Sequence, residues 1–338
     1  MHSWKQIISL AFKEQTKVLA RTSSTLLKGN KTITSVPRAF QLFAAHNLSS
    51  SVMSSNYWDY SKQHGPTEWH KHWNEGKRQS PIDILLKDAQ YDEKLASSSL
   101  IFDNSGIKFA LKNLGVNVAA RPGTFEDPLI LSGGPLDHRY QFHEVHFHWG
   151  RNPDMKGCEH TIDGHRFSAE MHLVHWNSEL YNSAAEAVPS SLGLSVLGVF
   201  LDEGQYEANP YLEKLLDLFL QVKYKDQTHQ SNLKFDPYSM LPSSTNEYFT
   251  YGGSLTTPPL CESVTWIVFR EPMKVSHSQM EKFRQLLSVV EEDEHKEHPN
   301  DPFNFASGIS CCGCPTIGDN YRPVMPLNGR KVLSSFQI

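Results

Sequence analysis

The octapeptide His143-Glu144-Val145-His146-Phe147-His148-Trp149-Gly150 alternates polar and apolar side chains. Val145, Phe147 and Trp149 fall on one side and Glu144, His146 and His148 on the other, which is the period of a β-strand with one face in a core. A second stretch, Ala169-Glu170-Met171-His172-Leu173-Val174-His175-Trp176, repeats the arrangement, with Glu170, His172 and Val174 on one face. In both stretches a carboxylate precedes the first histidine of the polar face by two residues. If the two strands are neighbours, His146, His148 and His172 converge. Glu144 and Glu170 then stand near enough to accept hydrogen bonds from ring N–H groups. Three neutral nitrogen donors with a fourth position open suit catalytic zinc, whereas a structural zinc is usually closed by four protein ligands, often including Cys. One histidine on a strand is more often a hydrogen-bonded core residue, so the signal lies in the convergence of three. The other histidines, including His143, His160, His165 and His175, read as structural or surface residues.

Outward from these strands, the chain from residue 56 to 338 consists of short β-type runs. They are punctuated by breakers such as Arg121-Pro-Gly, Ser132-Gly-Gly-Pro and Tyr251-Gly-Gly. This spacing predicts one large β-rich domain. Helical periodicity is confined mainly to Pro210 to Lys223 and Ser276 to Val290, where Ser276 and Gln279 form a capping-box pattern. An acidic, Cys-bearing insert spans about 291 to 316 and reads as a solvated loop. The first 55 residues differ in kind. Met1 to Trp58 carries seven Lys or Arg and a single acid, Glu14, so a whole-chain formal charge of -5 divides into a +6 leader and a -11 body. Placed on a helix, Lys13, Lys17 and Arg21 share one side while Ile7, Ile8, Ala11, Phe12, Val18 and Leu19 share the other. A basic, amphipathic, Ser/Thr-rich leader of this kind is the composition of a mitochondrial transit peptide, with a disordered tail on a cytoplasmic protein as the alternative. With 32 basic against 37 acidic residues the chain is no strongly basic nucleic-acid binder. No run approaches the ~20 apolar residues of a membrane-spanning helix.

The order and content of several motifs resemble the α-class carbonic anhydrases of the animal type from about Trp58 to Phe336. The matching stretches are Gln79-Ser-Pro-Ile-Asp, Ser132-Gly-Gly-Pro-Leu, His146-Phe-His-Trp-Gly, Glu159-His-Thr, His172-Leu-Val-His-Trp-Asn, Ser254-Leu-Thr-Thr-Pro-Pro-Leu, Val264-Thr-Trp and Asn320-Tyr-Arg-Pro. The resemblance implies a mostly β, α+β fold: a single domain with a central twisted, mainly antiparallel sheet and short peripheral helices. It implies one Zn2+ per chain on His146, His148 and His172, with Glu144 and Glu170 as partners of the ligands. It also implies reversible hydration of carbon dioxide to bicarbonate and a proton, zinc generating hydroxide from water as it does in active members of this family. Thr256 matches the threonine that accepts a hydrogen bond from that hydroxide and donates its own to a carboxylate, here Glu159; an ionised carboxylate only accepts, so Glu159 fixes the threonine proton. Thr257 lines the same wall. Val174, Val196, Leu255 and Trp266 match the dry pocket for carbon dioxide, and Tyr60 matches a tyrosine in the ordered water chain. Sulfonamide and anion inhibitors, and a monomer, are expected on the same grounds.

Two departures qualify the resemblance. Fast members carry a proton-shuttling histidine at the cavity mouth, and the matching segment here, Leu111-Lys-Asn-Leu-Gly-Val-Asn-Val, has none. Turnover is therefore expected to be limited by proton transfer. Active members usually carry Gln where this chain has Glu144. A carboxylate makes the imidazole of His146 more electron-donating and the zinc-bound water less acidic, so Glu144→Gln should move the pH–rate midpoint downward. The carbonic-anhydrase-related proteins also carry Glu there but lack the first zinc histidine, which this chain keeps; a catalytically weak binding module of that kind is the alternative function. Five cysteines leave at least one unpaired within the chain, and the Cys pair that secreted members bridge is not in its places, which favours a reducing compartment. Cys311-Cys-Gly-Cys lacks a four-ligand zinc spacing and reads as part of the surface loop.

Overall fold

The computed structural model describes residues 57–73, 75–103, 105–123, 126–293 and 315–338. The basic leader, Cys311, Cys312 and Cys314 lie outside them. The chain divides into two compact units, Met1–Asn74 and Glu75–Ile338. In the first, a one-turn helix, Pro66–Trp69, opens on a proline at its start, where a missing N–H costs nothing. Tyr60 packs there edge-on against Trp58 and Trp69.

The second unit is built on a thirteen-stranded sheet. Its central order is Thr228–Phe235, Ile107–Asn113, Val118–Pro122, Leu136–Trp149, Ala169–Asn177, Leu194–Gly204, Val264–Phe269 and Tyr248–Gly253. Neighbours in this series run antiparallel except Leu194–Gly204, which is parallel to Val264–Phe269 and to the short strand Met273–Ser276. The expected β-rich architecture with a mainly antiparallel sheet and short helices is therefore what forms.

Both histidine-bearing stretches are strands, and they are neighbours: His146 lies opposite His172, and His148 opposite Glu170. Their apolar alternates enter one core. Val145, Phe147, Trp149, Met171 and Leu173 join Leu197, Val199, Ile267 and Phe269 from the adjoining strands. Helix His277–Arg284 lies over this face, with the Phe283 ring 4.9 Å from that of Phe147 and 5.3 Å from that of Trp149. The sheet thus has an apolar face closed by helices and a polar face on which the histidines stand.

The helical segments are shorter than their periodicity. Pro210–Leu216 is a helix followed by a 3-10 turn, Phe219–Val222. The second begins as expected, with Ser276 and Gln279 capping each other reciprocally, but it ends at Arg284 although the apolar pattern runs on. Beyond that point the backbone groups have tertiary partners: Leu287 N–H donates to Lys223 C=O, Leu287 C=O accepts from the Asn113 side chain, and Ile317 N–H donates to Leu286 C=O. Two apparent breakers also differ. Arg121-Pro-Gly begins inside the strand Val118–Pro122, and Tyr251-Gly-Gly lies within the strand Tyr248–Gly253, where a Cβ on Gly253 would sit 2.2 Å from Ser80 Oγ. That glycine serves a close approach of chain segments. Ser132-Gly-Gly-Pro is a true turn, with Gly133 and Gly134 at φ of 77° and 56°, which favours glycine.

Candidate metal centre

His146, His148 and His172 each offer a ring nitrogen, and those nitrogens lie within 4.8 Å of one another. In each imidazole the opposite nitrogen is already bonded. His146 Nδ1 donates to Glu144 Oε1 at 2.9 Å, His148 Nδ1 to the Asn320 carbonyl at 2.7 Å, and His172 Nε2 to Glu170 Oε1 at 2.8 Å. These bonds set the tautomers, leaving Nε2 of His146, Nε2 of His148 and Nδ1 of His172 with unused lone pairs. His148 Nε2 is buried and makes no hydrogen bond, a cost that a metal ion removes. Burial, together with its histidine neighbours, pushes the His148 pKa well below the ordinary value, and burial pushes His172 down to about 4. These shifts keep His148 and His172 neutral, as a metal requires. The donor set therefore fits a zinc ion with an open fourth position.

A second close group, His160, Glu170 and His172, is a hydrogen-bond network. Glu170 Oε1 accepts from His160 Nδ1 at 2.7 Å as well as from His172, and Oε2 accepts the backbone N–H of Glu159 and His160 at 2.9 and 2.8 Å. Burial opposes the Glu170 charge, but His160 and these bonds hold its pKa well below the usual carboxylate range. His160 continues outward through Nε2 to the Tyr251 hydroxyl at 2.7 Å, which lies 2.8 Å from Ser80 Oγ. Close packing is possible because residue 198, opposite His172, is glycine: a Cβ there would stand 3.2 Å from Glu170 Oε1.

Glu159 is fully buried. Its Oε1 accepts from the Arg322 backbone N–H at 2.8 Å, and its Oε2 lies 3.4 Å from His148 Nε2. Burial first, and Glu170 second, push its pKa up to about 8, while hydrogen bonds from the Thr256 side chain and Arg322 oppose the rise. Thr256 is buried, and Leu255 and Thr257 on either side of it are half-buried. Val174, Val196 and Trp266 occupy matching register positions on three adjacent strands. Val174 is two residues beyond His172 on the same face, and the Trp266 ring stands 4.9 Å from the His172 ring. Tyr60 belongs to the other unit, where its hydroxyl is buried.

Glu144 is also buried, and its Oε2 accepts from Arg121 Nε at 2.8 Å and Nη2 at 2.6 Å. Burial opposes the charge, but Arg121, His146 and His143 hold the Glu144 carboxyl well below its usual range. Sequence reasoning missed Arg121, His160, Asn320 as the carbonyl that accepts from His148 Nδ1, and Gly198. His160 follows Glu159 within a quoted motif, and that adjacency was the available signal; the role of Arg121 depends on strand register and left no local trace. His175, set aside as structural, is buried and stacks on Tyr238 with Nε2 2.9 Å from its hydroxyl. Cys158 and Cys261 are free thiols, the former buried.

A mostly β unit that bares three imidazole nitrogens on one sheet face, with a buried Glu–Thr pair beside them, is an enzyme-like scaffold with a site that could hold a metal ion. Residues 64–336 match the family model of eukaryotic-type carbonic anhydrase, and the chain belongs to that family of enzymes. It is 42% identical to carbonic anhydrase 7 of Mus musculus and 40% identical to carbonic anhydrase 7 of Homo sapiens, each over 282 residues that cover 83% of this chain and 97% of the relative. No helix of the described residues is long and apolar enough to cross a membrane.

Proposed function

We propose that this chain is a working zinc enzyme that reversibly hydrates carbon dioxide to bicarbonate and a proton. The observation that carries the reading is the convergence of three imidazoles whose other nitrogens are each tied to an acceptor. His146, His148 and His172 would hold one zinc ion. Bound there, zinc supplies a Lewis acid that makes a water molecule acidic at neutral pH. A dication at that point also favours the ionised form of Glu159.

The chain's own groups do the rest. Glu159, ionised, accepts a hydrogen bond from the Thr256 hydroxyl, so the Thr256 oxygen is left to accept one from the nucleophile and to aim its lone pair. Val174, Val196, Leu255 and Trp266 exclude water from the site where carbon dioxide, which donates no hydrogen bonds, would rest. Thr257 borders the place where bicarbonate or an inhibitory anion or sulfonamide would sit. The monomer is the expected working form. The basic leader marks the enzyme for the mitochondrion, and N-terminal sequencing of the mature protein checks this: a protein that still begins at Met1 in cells rejects a cleaved transit peptide.

Stopped-flow hydration of carbon dioxide, run beside zinc analysis of the purified full-length protein, tests the reading. One zinc per chain with sulfonamide-sensitive hydration is the expected result. One zinc with no hydration above the metal-free protein would leave only a binding module.

A further inference from the structure

Where a neutral amide at residue 144 would accept the His146 proton without adding charge, Glu144 places a buried carboxylate beside a metal ligand. The antiparallel register Ala119↔His146 and Ala120↔Val145, carried one step further, sets Arg121 opposite Glu144 on the face that holds the histidines. The guanidinium forks onto one oxygen: both Nε and Nη2 donate to Oε2. Oε1 is thereby left for His146 Nδ1. The side chains are 18% and 3% exposed, so water does little of the neutralising. The nearest other titratable group, His143 Nε2, stays 3.9 Å from Oε2, outside hydrogen-bond distance. A buried carboxylate with one forked cationic partner is a fixed unit, both in orientation and in charge.

We propose that Arg121 is a positioning residue of the metal centre. By binding Oε2 of Glu144 it turns Oε1 toward His146 and balances the carboxylate, so that His146 meets the ion much as it would beside a neutral amide. The glutamate at residue 144 is then half of a compensated pair. This inference rests on the zinc reading above, and it identifies what tunes that site.

The test uses full-length zinc-loaded protein with Arg121→Leu, Glu144→Gln and both together. Zinc release to a chelator is timed, and the visible spectrum of the cobalt(II)-substituted forms reports the ligand field. An unbalanced carboxylate holds a dication and an unbalanced guanidinium repels it. Arg121→Leu is therefore expected to slow release and Glu144→Gln to speed it, each by roughly tenfold, the scale on which partners of metal-bound imidazoles act. The double variant should return to within about twofold of the native rate and to the native cobalt spectrum, because the coupled terms cancel. Packing damage cannot produce opposite signs that cancel: if both single variants release zinc faster and the double fastest, or if Arg121→Leu leaves the rate unchanged, the proposal fails. Should Arg121→Leu not fold, Arg121→Gln removes the charge while keeping a donor for Oε2 and carries the same expectation. A native protein that takes up no zinc overturns the zinc reading itself, whereas zinc uptake without the coupling overturns only the role of Arg121.

Discussion

Each metal-site histidine has two nitrogens, and its role depends on which of them is occupied. Asn320 C=O, Glu144 and Glu170 each hold one ring N–H, so three rings from two strands present bare nitrogens without competing protons. The same reasoning applies to Thr256, whose hydroxyl has a single proton. Because that proton is donated in a hydrogen bond to Glu159, Thr256→Ala should lower kcat/KM for hydration by roughly 10² while zinc content stays at one per chain, the scale expected for losing one oriented hydrogen-bonding group at a reacting centre. Equal kcat/KM in the variant would remove Thr256 from the mechanism. At this scale the carboxylate-before-histidine pattern was legible in the sequence because it is local. Arg121 and His160 were not, since what each touches lies on another segment: Glu144 is 23 residues from Arg121, and Tyr251 is 91 from His160.

The strand Leu136–Trp149 serves two faces at once. Val145, Phe147 and Trp149 anchor it in the core, and their fit fixes where Glu144, His146 and His148 stand. Phe147 is wedged against Phe219 and Phe283. Phe147→Ala should destabilise the zinc-free protein by about 3–5 kcal/mol, measured by urea unfolding, through lost burial and the cavity left behind. It should also weaken zinc binding, since the two flanking histidines share its backbone; zinc affinity identical to native would show that the two faces are independent. Period-2 alternation made this strand legible. The helix starting after Ser276 was legible at its cap and misread at its end, because Leu286 and Leu287 spend their backbone groups on tertiary bonds that no helical periodicity encodes.

Across the whole second unit, one ion pair joins the far end of strand Leu194–Gly204 to helix His277–Arg284. Arg284 Nη2 and Nη1 reach the two oxygens of Glu203 at 2.7 and 3.1 Å, and both side chains are nearly inaccessible. Burial works against the Glu203 charge, but Arg284 and His277 outweigh it and lower its pKa below 4.5. A carboxyl whose folded pKa is depressed adds stability that is fully present above its unfolded pKa and fades as pH falls through the folded one. Glu203→Leu should therefore cost about 3 kcal/mol at pH 7, by stranding Arg284, and progressively less below pH 4.5. A penalty independent of pH would assign the loss to packing. The segment from Leu111 to Val118 carries no histidine, so hydration should accelerate strongly with added imidazole-type buffer. A rate indifferent to buffer concentration would mean that another group carries the proton.

The amino-acid sequence by itself determined the donors, the β character of the strands that carry them, and the charge contrast between a +6 leader and a -11 body. Those are properties of composition and of a two-residue period, and both are readable from neighbours along the chain. Tertiary structure alone decided that His146 pairs with His172, that Asn320 from near the chain's end orients His148, and that Arg121 sits opposite Glu144. Register between strands is set by how a whole sheet buries its apolar face, and a shift of one residue would turn every one of these side chains to the other side.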